Sequence, residues 1–158
     1  YKRQMKKSMY AFKYNNRREY AKYYASVIAK EFKDVIFSWN CEVLVPVPLH
    51  RRKLIKRGYN QAEILAKRLS EQLLIPMDNK ILIRTRNTVP LKELSEKERI
   101  TNLKSAFQTD EIKLKYKRII LVDDIYTTGS TIDECAWTLL RNGAEEVYFI
   151  TACIGRGF

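Results

Sequence analysis

Residues 119–131 read Ile119-Ile120-Leu121-Val122-Asp123-Asp124-Ile125-Tyr126-Thr127-Thr128-Gly129-Ser130-Thr131. The four apolar residues at 119–122 predict a strand in the middle of a sheet covered on both faces, where a run need not alternate with polar residues. The strand is read as ending at two adjacent carboxylates. A loop of small hydroxyl residues with one glycine then leads into a helix predicted over 131–142. Ile132, Cys135, Ala136, Leu139 and Leu140 fall on one stripe of that helix, and Gly143 is its stop.

Each part of this stretch has a chemical use. A helix N-terminus presents unpaired N–H groups and the positive end of the dipole, which suits phosphate. Thr127, Thr128, Ser130 and Thr131 add hydroxyl donors, and Gly129 permits close approach or positive φ. Adjacent acids repel and call for a cation or a donor; Asp123 and Asp124 can accept from sugar hydroxyls or hold a divalent cation. A strand ending in a Thr/Ser-capped helix would account for Gly129 and Ser130, but not for the paired acids. The chain has no G-x-x-x-x-G-K and no G-x-G-x-x-G, which removes the P-loop and dinucleotide readings.

Outward from this stretch, helices and strands alternate. Tyr1, Met5, Met9 and Phe12 recur at helical spacing, and Asn15-Asn16 interrupts them. Tyr20, Tyr24, Val27, Ile28, Phe32, Val35 and Ile36 predict a second helix, its tyrosines read as packing residues. Residues 43–45 predict a strand closed by Pro46 and Pro48. A basic loop follows over 49–59. Asn60 caps a helix with Ala62, Leu65, Leu69 and Leu73 on one face, and Pro76 ends that unit. Residues 81–83 and 147–152 are further strands. A polar loop over 85–94 and a charged helix opening at Ser95 lie between them. The order predicts an α/β fold with a mainly parallel sheet flanked by helices. Ligands then bind beyond the carboxyl ends of the strands, at the loops 46–59 and 123–130.

Composition narrows the class. The 158 residues are enough for one domain without staples, burying roughly 70% of their unfolded surface. A hydrophobic fraction of 46% excludes a disordered chain, and no apolar run is long enough to span a bilayer. Cys41, Cys135 and Cys153 are far apart and read as core residues; they suit a reducing compartment, so a cytoplasmic location is expected. The chain opens on Tyr1-Lys2-Arg3, without the apolar run of a signal peptide. The net charge is +12, attractive to polyanions. Nine basic groups and one acid lie in residues 1–30, and five basic groups with no acid in 51–57.

The stretch 119–131 resembles the phosphoribosyl-pyrophosphate (PRPP) motif of type I phosphoribosyltransferases. The run Val43-Leu44-Val45-Pro46-Val47-Pro48-Leu49-His50-Arg51-Arg52-Lys53, with Arg57-Gly58-Tyr59-Asn60-Gln61, resembles the pyrophosphate-loop region of the ComF subfamily. Thr85-Arg86-Asn87-Thr88 and Arg99-x-x-Asn102-x-x-x-Ala106-Phe107 resemble its hood. The similarity runs from about residue 5 to residue 156. It departs in three places: the zinc module that opens many such proteins is missing from this chain, Leu91 stands where the hood often carries Gln, and Thr127 stands where 6-oxopurine enzymes carry an acid.

The resemblance implies one phosphoribosyltransferase-like domain over 1–158, of type I phosphoribosyltransferase fold. It would have N-terminal helices over 1–38, a PRPP-binding core over 43–158 and a hood over about 84–107. Asp123 and Asp124 would hold the ribose hydroxyls, directly or with Mg²⁺ through water or PRPP. Thr127, Thr128, Gly129, Ser130 and Thr131 would cradle the 5-phosphate. Pro48, Leu49, His50, Arg51, Arg52, Lys53 and Arg57 would meet the pyrophosphate, and Arg86, Arg99 and Asn102 would cover the site from the hood. Tyr59 and Tyr126 either pack or stack on a base. ComF-type proteins are associated with competence, the uptake of DNA by bacteria. Single-stranded DNA, a second copy of the chain and a competence-machinery protein are therefore the expected partners beside PRPP. Two functions are open: transfer of phosphoribose to an acceptor, or a non-enzymatic DNA-binding or PRPP-responsive role.

Overall fold

The computed structural model describes residues 2–15, 17–85, 106–109 and 114–155. Among these, the chain runs through α1 (Lys2–Tyr14), α2 (Tyr20–Ser38), β1 (Val43–Pro46), α3 (Arg51–Arg57), α4 (Gln61–Leu73), β2 (Leu82–Arg84), β3 (Phe107–Thr109), β4 (Arg118–Tyr126), α5 (Ser130–Arg141) and β5 (Glu146–Ile154). Three strands form a parallel sheet in the order β1-β4-β5. Strands β2 and β3 pair antiparallel in a separate small sheet.

Strand β4 sits at the centre because its residues are apolar on both faces. Ile120 and Val122, with Leu44 of β1 and Ile150 of β5, pack against α1, α2 and α4. Ile119 and Leu121, with Val43 and Val45, pack against α5 and the β2-β3 sheet. Residues 119–122 are all fully buried, at roughly 1.5–3 kcal/mol for each such side chain taken from water. The predicted face of α4 is buried throughout: Ala62, Leu65, Leu69 and Leu73. Gly143, at φ 111°, closes α5. Its N–H donates to the Leu140 carbonyl and that of Ala144 to the Leu139 carbonyl, the Schellman pattern.

Several sequence expectations shift. Strand β4 does not stop at the carboxylates but continues to Tyr126, paired with β5 as far as Ile154; Ile125 and Tyr126 are strand formers that extend the run. The expected basic loop over 49–59 contains a helix, α3. It has no buried residue and hence no apolar stripe for a sequence reading to find. His50 caps it through Nδ1, which accepts from the Arg52 N–H at 3.3 Å, and Gly58 at φ 78° ends it. On α2, Ala21, Ala25 and Ala29 bring the backbone close to its neighbours, while Val27, Phe32 and Val35 remain exposed outside that contact. Helix α4 ends on Leu74 at φ 57°, two residues before Pro76. The strand expected at 81–83 is β2, one residue later. The helix expected at Ser95 and most of the hood lie outside the described residues. No described helix is long and apolar enough to cross a membrane.

Candidate functional site

The carboxyl end of β4, the turn after it and the start of α5 enclose a pocket lined by Asp123 and residues 125–132. Gly129 is the N-cap of α5 at φ 82° and has no side chain with which to cap this helix. Its first-turn N–H groups are therefore not used by a local cap, the arrangement that receives an anion. Thr127 and Thr128 are exposed, and the Thr128 and Ser130 hydroxyls lie 3.0 Å apart. Tyr126 leans over the turn: a Cβ on Gly129 would stand 2.5 Å from its hydroxyl oxygen. The Tyr126 ring stacks on Phe149, with centroids 5.3 Å apart and planes at 14°. The loop residues read from the sequence thus come together around one small polar space.

The two carboxylates do not sit side by side. Successive residues of a strand point to opposite faces. Asp124 follows Ile120 and Val122 toward α1, where its Oδ2 pairs with Lys13 Nζ at 3.0 Å. Asp123 follows Ile119 and Leu121 toward α5 and the small sheet and borders the pocket. Burial first, and then the charge of Asp124, push the Asp123 carboxyl up to about 7. The Asp124 N–H, donating to Asp123 Oδ1 at 2.8 Å, works against that rise, as do Lys13 and Arg84.

Cations surround this strand end. Lys53 and Arg57, one turn apart on α3, turn inward, while Arg51 and Arg52 are exposed. The Lys53 ammonium is held below its usual pKa by burial, and then by the like charges of Arg84, Arg57 and Lys13. Arg84, on β2, lies over the Phe107 ring at 5.1 Å and acts on Asp123. Sequence reasoning missed Lys13 and Arg84 as site residues. Lys13 is one of nine basic residues in its segment, and Arg84 is a charged residue closing an apolar strand. Pro48, Leu49 and His50 precede α3, half-buried. His50 spends its Nδ1 on the helix cap.

Tyr59 resolves to packing. It is buried, its hydroxyl donates to the Phe12 carbonyl, and Arg18 lies 4.6 Å over its ring. Asn60 caps α4 by accepting from the Ala62 N–H at 3.1 Å and ties back to the Val47 carbonyl at 3.0 Å. Burial raises all three thiols, Cys41 to about 11, so none is poised as a thiolate. Arg86, Arg99, Asn102 and Leu91 lie outside the described residues. Among the described residues, no three His, Cys, Asp or Glu side chains cluster to hold a metal.

The phosphoribosyl transferase domain family matches residues 53–157. Competence protein F of Haemophilus influenzae is 43% identical over 108 residues, 67% of this chain and 47% of that protein. The DNA utilization protein YhgH of Escherichia coli K12 is 41% identical over 110 residues, 70% of this chain and 48% of that protein. Competence protein ComFC of Bacillus subtilis is 33% identical over 149 residues, 90% of this chain and 56% of that protein. This chain thus spans about half the length of these relatives. Among solved structures, the glutamine PRPP amidotransferase of Bacillus subtilis, complexed with ADP and GMP, superposes with a TM-score of 0.60 at 18% identity. The superposition covers 91% of this chain and 30% of that one.

Proposed function

We propose, from the premise that the chain belongs to the phosphoribosyl transferase domain family as a ComF-type member, that it binds PRPP with Mg²⁺ at the carboxyl end of β4. The observation that carries this reading is the pocket lined by Asp123 and residues 125–132, opening at an α5 N-terminus whose N-cap, Gly129, offers no side chain to cap it. Thr127, Thr128, Gly129, Ser130 and Thr131 would receive the 5-phosphate, Asp123 and Asp124 the ribose hydroxyls. Lys53 and Arg57 would meet the pyrophosphate from α3, with Arg51 and Arg52 held further out. The hood residues Arg86, Arg99 and Asn102 belong to the same proposal.

The residues fit Mg²⁺ only with the ligand's help. Carboxylate oxygen is its preferred donor, but two diverging carboxylates do not make a closed site, and Mg²⁺ commonly keeps waters and takes phosphate oxygens. Asp123 at the pocket edge is the residue that would hold it, through water or PRPP. When bound, the ion would offset charge on departing pyrophosphate. The protein's own share of a transfer is positioning and charge: the loop fixes the phosphoribose, and the α3 cations face the leaving group.

The relatives named for competence and DNA utilization point this chemistry toward DNA uptake. A second reading, binding of single-stranded DNA, has its own observation. Tyr10, Tyr14 and Tyr23 are exposed on α1 and α2 among the basic residues. A cleft lined by Gln4, Met5, Ser8, Tyr20, Tyr23 and Tyr24 lies between the helices, and aromatic rings beside cations suit unpaired bases. A third reading, a PRPP-responsive regulator, joins the two, since α1 touches both surfaces. Calorimetric titration with PRPP, with and without Mg²⁺, on the wild type and Asp123→Asn/Asp124→Asn tests the first reading. Mg²⁺-dependent binding that the double variant loses is expected; no binding by the folded wild type overturns it.

A further inference from the structure

The family match begins at residue 53, yet one side chain at the strand end comes from far outside it. Lys13 of α1 lies 3.0 Å from Asp124, with only 19% of the Lys13 side chain and 9% of the Asp124 side chain exposed. Such a pair holds only when its geometry is fixed, and here the main chain fixes it. Three side chains from the junction of α3 and α4 grip the last turn of α1. Tyr59 donates its hydroxyl to the Phe12 carbonyl. Gln61 donates Nε2 to the Lys13 carbonyl at 3.2 Å. Arg57 donates Nη2 to the Tyr14 hydroxyl at 3.3 Å. Gln61 is 1% exposed, and its Oε1 accepts from Arg57 Nη1 at 3.0 Å. One buried amide therefore links a cation on the pyrophosphate side to the backbone of the lysine on the ribose side. Networks of this kind, when satisfied, hold their members in a single arrangement.

We propose that Lys13 is a positioning residue for sugar recognition: through Asp124 it fixes the carboxylate that receives the ribose, which makes α1 a wall of the ligand site. The proposal rests on the PRPP reading. A carboxylate accepts from several donors at once, so the lysine and a sugar hydroxyl share Asp124 rather than compete for it. The lysine contacts the ribose end, so a ligand without ribose feels it only through the weaker, longer-range field that also reaches Lys53.

The test titrates the full chain in excess Mg²⁺ with PRPP and, separately, with inorganic pyrophosphate. The proteins are the wild type, Lys13→Met, Lys13→Arg, Asp124→Asn and the Lys13→Met/Asp124→Asn pair, each checked by circular dichroism. Lys13→Met is expected to weaken PRPP about tenfold or more and pyrophosphate less than threefold. Lys13→Arg restores most of the PRPP affinity, and the pair binds PRPP no more weakly than Asp124→Asn alone. If Lys13→Met does not fold, Lys13→Gln replaces it. Unchanged or tighter PRPP binding by the Lys13 variant overturns the proposal, as does an equal loss with pyrophosphate or an additive loss in the pair. Wild type that binds PRPP without regard to Lys13 removes only this role. Wild type and Lys13 variants that all fail to bind PRPP remove the PRPP reading as well.

Discussion

The hydroxyl of Tyr126 occupies the space into which a side chain on Gly129 would project, 2.5 Å from where its Cβ would stand. At φ 82° the position already disfavours any L side chain, by about 1 kcal/mol for the backbone alone. Gly129→Ala is expected to lose about 2–3 kcal/mol in urea melts, backbone and clash together. Tyr126→Ala/Gly129→Ala should be less destabilised than the sum of the two single variants. A strictly additive pair would mean the ring moves aside at no cost.

Gly58 supplies the contrast. It sits at φ 78°, and among the described residues no atom beyond its immediate chain neighbours lies within 4 Å of where an alanine methyl would stand. Gly58→Ala should therefore lose only about 1 kcal/mol, measured in the same melts. A loss as large as that of Gly129→Ala would show that the end of α3 is more crowded than its surroundings indicate.

Asp123 predicts a pH dependence. In the folded chain its carboxyl is raised to about 7, whereas an unfolded aspartate titrates near about 3.9. The folded state thus binds the extra proton between these values, so stability falls as pH rises through that window and levels off above it. Asp123→Asn should flatten this part of the profile and be more stable than wild type at pH 8, by roughly 2–4 kcal/mol. Parallel wild-type and variant profiles from pH 4 to 8 would contradict the burial of this acid.

The inward and outward faces of α3 should differ in ligand binding. Lys53→Met and Arg57→Met are each expected to weaken Mg²⁺-PRPP about tenfold, as for a charge-assisted contact. Arg51→Met and Arg52→Met, whose side chains are exposed, should change it less than about threefold. Titrations of the four variants at one ionic strength decide this; equal losses would mean that only the total charge of the segment counts.

Tyr59 should matter to stability through its hydroxyl. Tyr59→Phe leaves the Phe12 carbonyl without this donor, at an expected cost of about 1 kcal/mol. Chemical denaturation measures it. No change would mean that α1 is held by its apolar face alone.

Much of the fold is legible locally. The four apolar residues before Asp123 had to be a covered strand, and Asn60 and Gly143 mark helix ends by capping chemistry. The pocket-lining loop 127–131 was legible for the same reason, since its parts are consecutive in sequence. What escaped is tertiary. Helix α3 has no buried stripe and is recognised only by its ends, His50 and Gly58. Lys13 and Arg84 reach the site from α1 and β2, a relation no spacing encodes. The divergence of the two acids follows from the period of a strand, but only once Ile125 and Tyr126 are counted as part of it.

That divergence has a mechanical meaning. Asp123 emerges from the core under α5, Asp124 from the core under α1, α2 and α4. A sugar that held both carboxylates, as proposed, would straddle β4 near its carboxyl end like a rivet through two plates. Its binding energy would then be shared by both plates, so neither would loosen alone while it was held. The helical layer that carries the basic, tyrosine-bearing surface would melt together with the layer that carries the loop 127–131.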